Sequence, residues 1–301
     1  MKTLKIVFAL FFAVCMTSCF EDYIFDYEHS YVGFSMENPL RTTIADRDYK
    51  IYVGVSIGGK RAVDMKDWAT FEINPDAVLP TGYQWLPENY YVFDDPNTMR
   101  VRKSNLPVAD VGMKFTEDFY NDSKAAGNYY ALPLRITGSS LDSISGAETV
   151  VVFKYISTFH GTYYIKGTME ELDADGNVIE PAVVYNDKDL KNNPTRDVQT
   201  IARNVIIRPG VGNANPTGNE RVQLAIEMND NADKTYNVLV GTASTSGSMV
   251  ITNGSGTYYG NKEQPEIQIN YSFSRGTRNY RVSETMILRQ DPEKDFRVEK
   301  W

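Results

Sequence analysis

Strict alternation of apolar and polar residues constrains this chain more than any other feature. In residues 49–57, Ile51, Val53, Val55 and Ile57 fall on one face at a spacing of two. The same beat returns in Val111, Met113 and Phe115, in Leu132, Leu134 and Ile136, in Val222, Leu224, Ile226 and Met228, and in Ile267, Ile269, Tyr271 and Phe273. Successive side chains of a strand point to opposite faces, so a period of two marks strands buried on one side. Helical spacing is nearly absent, and 20 Tyr and 14 Phe suit strands. The pattern predicts an all-β protein.

The strands fall into two series. Residues 30–156 hold about seven short strands separated by turn signals such as Asn74-Pro75-Asp76 and Asp94-Asp95-Pro96-Asn97. That arrangement predicts an immunoglobulin-like β-sandwich. Pro133 lacks a ladder donor, which predicts an edge position or a bulge for its strand. The series restarts near Phe159 and fills residues 157–301. Eight strands are expected there: the opening run through Gly167, then 178–185, 198–207, 222–228, 236–240, 248–259, 267–273 and 280–288. Short joiners such as Asp173-Ala174-Asp175-Gly176-Asn177 make a meander. A meander of eight strands closes into a lipocalin-like antiparallel barrel or packs as a two-sheet sandwich.

The beginning of the chain follows other rules. Met1-Lys2-Thr3-Leu4-Lys5 is cationic, Ile6 to Met16 is apolar, and Thr17-Ser18-Cys19 follows. This predicts a signal peptide over residues 1–18, followed by a tether over 19–29. The apolar run is far shorter than the roughly 20 residues a spanning helix needs. Met16-Thr17-Ser18-Cys19 resembles a bacterial lipobox, with Met16 and Ser18 where Leu and Ala or Gly are usual. The resemblance implies a lipid on Cys19. Glu21 and Asp22 resemble the surface-export signal of Bacteroidota lipoproteins, which implies an outer-membrane protein facing outside the cell. Cys15 leaves with the signal and Cys19 is acylated, so no disulfide, thiol nucleophile or cysteine zinc site is expected. The net charge of −8 becomes −10 without Lys2 and Lys5, which argues against nucleic acid as a partner.

Longer motifs carry a family resemblance. Leu86-Pro87-Glu88-x-Tyr90-Tyr91 and Tyr130-x-Leu132-Pro133-Leu134-x-Ile136 resemble the N-terminal domain of Bacteroidota surface lipoproteins long held to be of unknown function. Gly161-Thr162-Tyr163-Tyr164 and Phe296-x-Val298-Glu299-Lys300-Trp301 are similar to C-terminal domains of the same proteins. Such proteins are encoded beside glycan-uptake systems of the starch-utilisation type. The resemblance implies a non-catalytic accessory role, with oligosaccharide or polysaccharide and other surface proteins of an uptake system as partners. The motifs themselves serve strand packing.

Candidate chemistry is sparse. The two histidines, His29 and His160, stand apart from any nucleophile motif, and neither G-x-S-x-G nor S-x-x-K occurs. No enzyme activity, metal or cofactor is therefore expected. A glycoside hydrolase would need two carboxylates brought together from different strands. Asp173-x-Asp175-Gly176 reads as a hairpin turn, lacking the further acids of a calcium loop. Aromatic faces stack on sugar rings, which makes Trp68, Trp85, Tyr83, Tyr258 and Tyr259 candidate ligand contacts. Trp68 ranks first, because Lys66 and Asp67 could add polar contacts. Ser143, within Asp142-Ser143-Ile144, resembles a Bacteroidota O-glycosylation site. The alternative function is a structural or adhesive protein that binds another protein.

Overall fold

The structure is a computed structural model that describes residues 29–301 other than 61–62, 104, 246–248, 296–298 and 301. Cys19, Glu21 and Asp22 lie outside the described residues. The chain is all-β, as its alternation predicts, and its strands form two sheets over two separate apolar cores.

The first sheet runs in the order Ser143–Ile144, Tyr31–Gly33, Ile51–Gly58, Val108–Phe115, Thr98–Val101, Trp68–Ile73, Tyr130–Ser139, Glu148–Ile156, Pro39–Ile44 and Glu299–Lys300. It curls as one continuous ladder around its core. The continuity comes from Trp68–Ile73, which pairs with Thr98–Val101 on one side and Tyr130–Ser139 on the other. A register shift between Thr70 and Phe71 leaves Thr137 as an extra residue in Tyr130–Ser139, a bulge that bends that partner strand. Pro133 is not at an edge. It sits opposite Val150 in the strand Tyr130–Ser139, just past the last Trp68–Ile73 pair at Leu134. Only its carbonyl is used there, accepting from the Asn74 N–H at 3.0 Å. The missing donor costs nothing where the ladder has ended.

The core of this part is aromatic. Phe119, on the short helix Glu117–Asn121, stacks on Phe115 with centroids 4.0 Å apart. The motif tyrosines converge on Asp122, which accepts from the Tyr90 hydroxyl at 3.1 Å and the Tyr130 hydroxyl at 2.5 Å. Leu86 of the same motif is buried. The motif therefore packs the first core.

The second sheet is a closed barrel of eight antiparallel strands: Gly161–Leu172, Thr195–Ala202, Val205–Pro209, Val222–Ala232, Thr235–Thr245, Met249–Tyr259, Glu266–Arg275 and Arg278–Leu288. Closure comes from ten residue pairs, Tyr163 opposite Leu288 through Leu172 opposite Asn279. The membership differs from the sequence expectation. Residues 198–207 are split between two strands joined at Arg203-Asn204, a turn that holds neither Gly nor Pro. Of residues 178–185, only Val183–Tyr185 is a strand, and it lies beside Gly167–Met169. Inward residues Ile206, Leu224, Ile226, Ile267, Val282 and Met286 are buried and fill the barrel.

A polar seam joins the two parts. Ser157 donates its N–H to Thr200 Oγ1 at 2.9 Å and its hydroxyl to the Arg203 carbonyl at 2.7 Å. The Arg203 guanidinium reaches Asp46 at 2.9 Å, Glu117 at 2.6 Å and Asn121 at 3.0 Å. Arg47 forks onto Asp291 at 2.8 and 2.7 Å. No helix among the described residues is long and apolar enough to cross a membrane.

Candidate functional site

Two places on the barrel gather polar chemistry. One is an open groove of about 400 Å³ on its outer wall. Register builds it: Lys166 lies opposite Thr285 and Thr168 opposite Ser283, all pointing away from the buried face. Glu266 and Ile287 form the next pair across, and Asn186 follows the short strand Val183–Tyr185 along the other side. Glu266 accepts from the Gln268 amide at 2.7 Å and pairs with Lys262. Hydroxyls, an amide, an amine and a carboxylate thus line one shallow channel.

The other place is inside the barrel. Arg208 and Glu284 are fully buried and form an ion pair. Both occupy inward positions of their strands, Arg208 two residues after Ile206 and Glu284 between Val282 and Met286. The Tyr185 hydroxyl donates to Glu284 at 3.1 Å, and the Tyr271 hydroxyl accepts from the Gly212 N–H at 2.8 Å. Arg208 donates to the Gly212 carbonyl at 2.8 Å. Arg196 donates to the carbonyls of Thr195 at 2.8 Å and Asn213 at 2.7 Å. Burial pushes the Glu284 carboxyl up, against the pull of Arg208. Burial, then the neighbouring Arg208, pulls Arg196 down. This cluster went unremarked at the sequence level. Its signal was a charged residue on an inward beat, at Arg208 and again at Glu284.

The aromatic candidates are dispersed. Trp68 is half-buried on the first sheet opposite Arg100, and its backbone N–H donates to Ser140 Oγ at 3.0 Å. Asp67 cannot assist it: the carboxylate is buried and held by Lys60 at 2.7 Å and the Asp64 N–H at 2.9 Å. Lys66 is exposed. Trp85 is 40% exposed, whereas Tyr83 packs on Leu40, Ala131 and Val152. Tyr258 is corrected to a core residue. It is 7% exposed and its ring sits 4.9 Å from Phe159 and 5.6 Å from Tyr236, with burial pushing the phenol up to about 12. Its inward position in the strand dictates this. Tyr259 points the other way, with the Lys262 amine 4.8 Å from its ring centre.

Ser143 is exposed in the short strand beside Tyr31–Gly33, while Asp142 accepts from Ser30 at 2.8 and 2.6 Å. His160 Nδ1 lies 3.2 Å from Thr200 Oγ1 in the seam. Acids that neighbour each other in the sequence, Asp94-Asp95 and Glu170-Glu171, form no carboxylate pair for hydrolysis: Asp94 pairs with Lys50, Glu170 with Arg281 and Glu171 with Arg278. Asp173 accepts from the N–H groups of Asp175 and Asn177 at 2.9 and 2.8 Å, closing its hairpin. Among the described residues, no group of three or more His, Cys, Asp or Glu is placed to hold a metal.

Comparison with known proteins gives a fold and little more. A family model described as "-like, N-terminal domain" matches residues 27–143. No curated protein matches. A solved structure from Bacteroides ovatus, described as structural genomics of unknown function, aligns with a TM-score of 0.67 at 16% identity. It covers 90% of this chain and 98% of that one, so the similarity extends over both sheets. A multidomain protein including DUF1735, also from Bacteroides ovatus, aligns at a TM-score of 0.40 and 14% identity, over 91% of this chain and 100% of that one.

Proposed function

We propose that this chain is a non-catalytic lipoprotein of the outer-membrane surface that holds oligosaccharide or polysaccharide in the groove of its barrel wall. The groove is the observation that carries the proposal. Its lining of Lys166, Thr168, Asn186, Glu266, Ser283 and Thr285 offers donors and acceptors, with Ile287 as an apolar neighbour. A hydroxyl-rich ligand exchanges its water for such groups at little net cost, whereas an apolar ligand gains nothing from them. In this account Cys19 carries the lipid and Glu21 and Asp22 direct the protein outward, so that any ligand is met outside the cell. Trp68 and Trp85 serve as separate stacking platforms for a long polymer, and Tyr259 as a third. Ser143 is a candidate for O-glycan attachment. The partners are the glycan and neighbouring proteins of an uptake system.

A glycan array probed with the soluble chain tests this. The expected result is selective retention on a subset of neutral or acidic polysaccharides, unaffected by chelators. A chain retained by none of the glycans that support growth of its host would overturn the proposal. A second reading, adhesion to another protein, has one observation in its favour. Val178, Ile179, Val183 and Val184 are all exposed, at 45, 55, 44 and 65%, in the segment bordering the groove. Capture of one defined outer-membrane protein, lost on changing Val184 to Asp, would favour it.

A further inference from the structure

The first sheet is open along one seam. Ile51–Gly58 pairs with Val108–Phe115 on one side, but on the other Tyr31–Gly33 covers only residues 56–58. The Ile57 N–H donates to the Pro107 carbonyl on the Val108–Phe115 side. Backbone groups alternate along a strand, so those of Gly54 face the open seam. Arg41, on the strand Pro39–Ile44, lines the far side of the same gap.

A cavity of about 20 Å³ lies in this seam. A water needs about 10–15 Å³ of such space, so the cavity takes one particle of that size. Val53 and Val151 form its apolar floor, and it opens beside the exposed Ser35. Arg41 is the one charged residue that lines it. Among the described residues nothing accepts from the Arg41 guanidinium, and its Nη1 is buried without a partner. Burial pulls this guanidinium below its ordinary value, with no carboxylate among the described residues to raise it. The Thr149 hydroxyl is engaged with the Met36 and Glu37 carbonyls, at 3.0 and 2.9 Å. Among the described residues the Ser35 hydroxyl and the Gly54 N–H are left without acceptors.

A cation withdrawn from water is costly unless an anion compensates it. A guanidinium does not escape that cost by losing its proton. A water molecule would fill the volume and leave the charge unmatched. Donors gathered around one positive charge and one atom's worth of space suit a small anion instead.

We propose that this cavity is a binding site for a halide-sized monovalent anion, held by the Arg41 guanidinium, the Ser35 hydroxyl and the Gly54 N–H. The anion bridges two strands that no hydrogen bond of the sheet joins. The site lies on the first sheet and is independent of the barrel groove.

The test uses the full chain in detergent, with sodium chloride exchanged for sodium gluconate at constant sodium. Gluconate is too large for the cavity, so Tm should rise in a saturable way as chloride replaces it. Arg41→Met keeps the apolar stem and should lose this response. Ser35→Ala keeps the cation and should weaken chloride about threefold, as expected for one lost neutral hydrogen bond. Crystals of the unaltered chain grown in sodium bromide should show an anomalous peak at hydrogen-bonding distance from the Arg41 guanidinium. Equal Tm in chloride and gluconate, an undiminished chloride response in Arg41→Met, or a water and no bromide beside Arg41 would each overturn the proposal.

Discussion

Arg208 and Glu284 illustrate what a single inward beat can carry. Each stands where the alternation asks for an aliphatic side chain, and together they place an ion pair in an apolar barrel. Removing one partner strands the other charge away from water. Arg208→Met should therefore cost about 3–5 kcal/mol of stability, whereas Arg208→Met combined with Glu284→Leu should recover most of it. Denaturant titration of both variants checks this; a double variant no more stable than the single one would show that the pair is not the source of the loss. The same residue-scale logic separates Tyr258 from Tyr259. Adjacent in sequence, they point to opposite faces, and period two assigns one of them to the core. Which one was legible only by carrying the beat from Met249 and Ile251 across the register shift between Thr252 and Ser255. Trp68 likewise falls opposite the beat of Ala69 and Phe71, so its outward face was readable. The capture of Asp67 by Lys60 was not, because that contact depends on how the preceding loop folds back.

At the scale of elements, the strands were legible and their joints were not. The strand series of both parts follows the period, yet Arg203-Asn204 makes a hairpin turn with no Gly, Pro or Asp to mark it. The tip of that hairpin is an interaction device: its arginine inserts between Asp46, Glu117 and Asn121. Arg47 and Asp291 form the companion clamp. The Arg47 hydrogen bond holds the Asp291 carboxyl below its ordinary value. A depressed carboxyl contributes stability above its unfolded pKa of about 3.9 and loses it as pH falls through the folded value. Asp291→Asn should therefore lower Tm from neutral pH down to about pH 4. Below that, the gap to the unaltered chain should shrink and vanish. Thermal melts at pH 7, 4 and 2.5 measure it, and a gap that persists at the lowest pH would rule out this origin.

The whole molecule is two curled sheets, and the restart of the strand series at Phe159 made that division readable. The return of the chain end was not readable: Glu299–Lys300 pairs with Pro39–Leu40, so the last residues join the first sheet. The groove was equally hidden. Lys166 and Thr285 are ordinary outward residues more than a hundred positions apart, and only barrel closure makes them neighbours. The anchor proposed for the whole molecule rests on Cys19. Cys19→Ala should move the protein from the membrane fraction to the soluble one, and Ala at both Glu21 and Asp22 should leave it anchored but shielded from added protease. Membrane retention of Cys19→Ala would contradict the anchor.

Glycan capture in the groove is tested most directly by titration calorimetry of the best array ligand, cut to a short oligosaccharide, against the unaltered chain and Thr285→Trp. The indole would fill the channel beside Lys166 without touching either core. The account predicts that affinity falls by at least about tenfold, roughly 1.4 kcal/mol, with Tm unchanged and with Trp68→Ala still binding the short ligand normally. Unchanged affinity in a folded Thr285→Trp chain would contradict it.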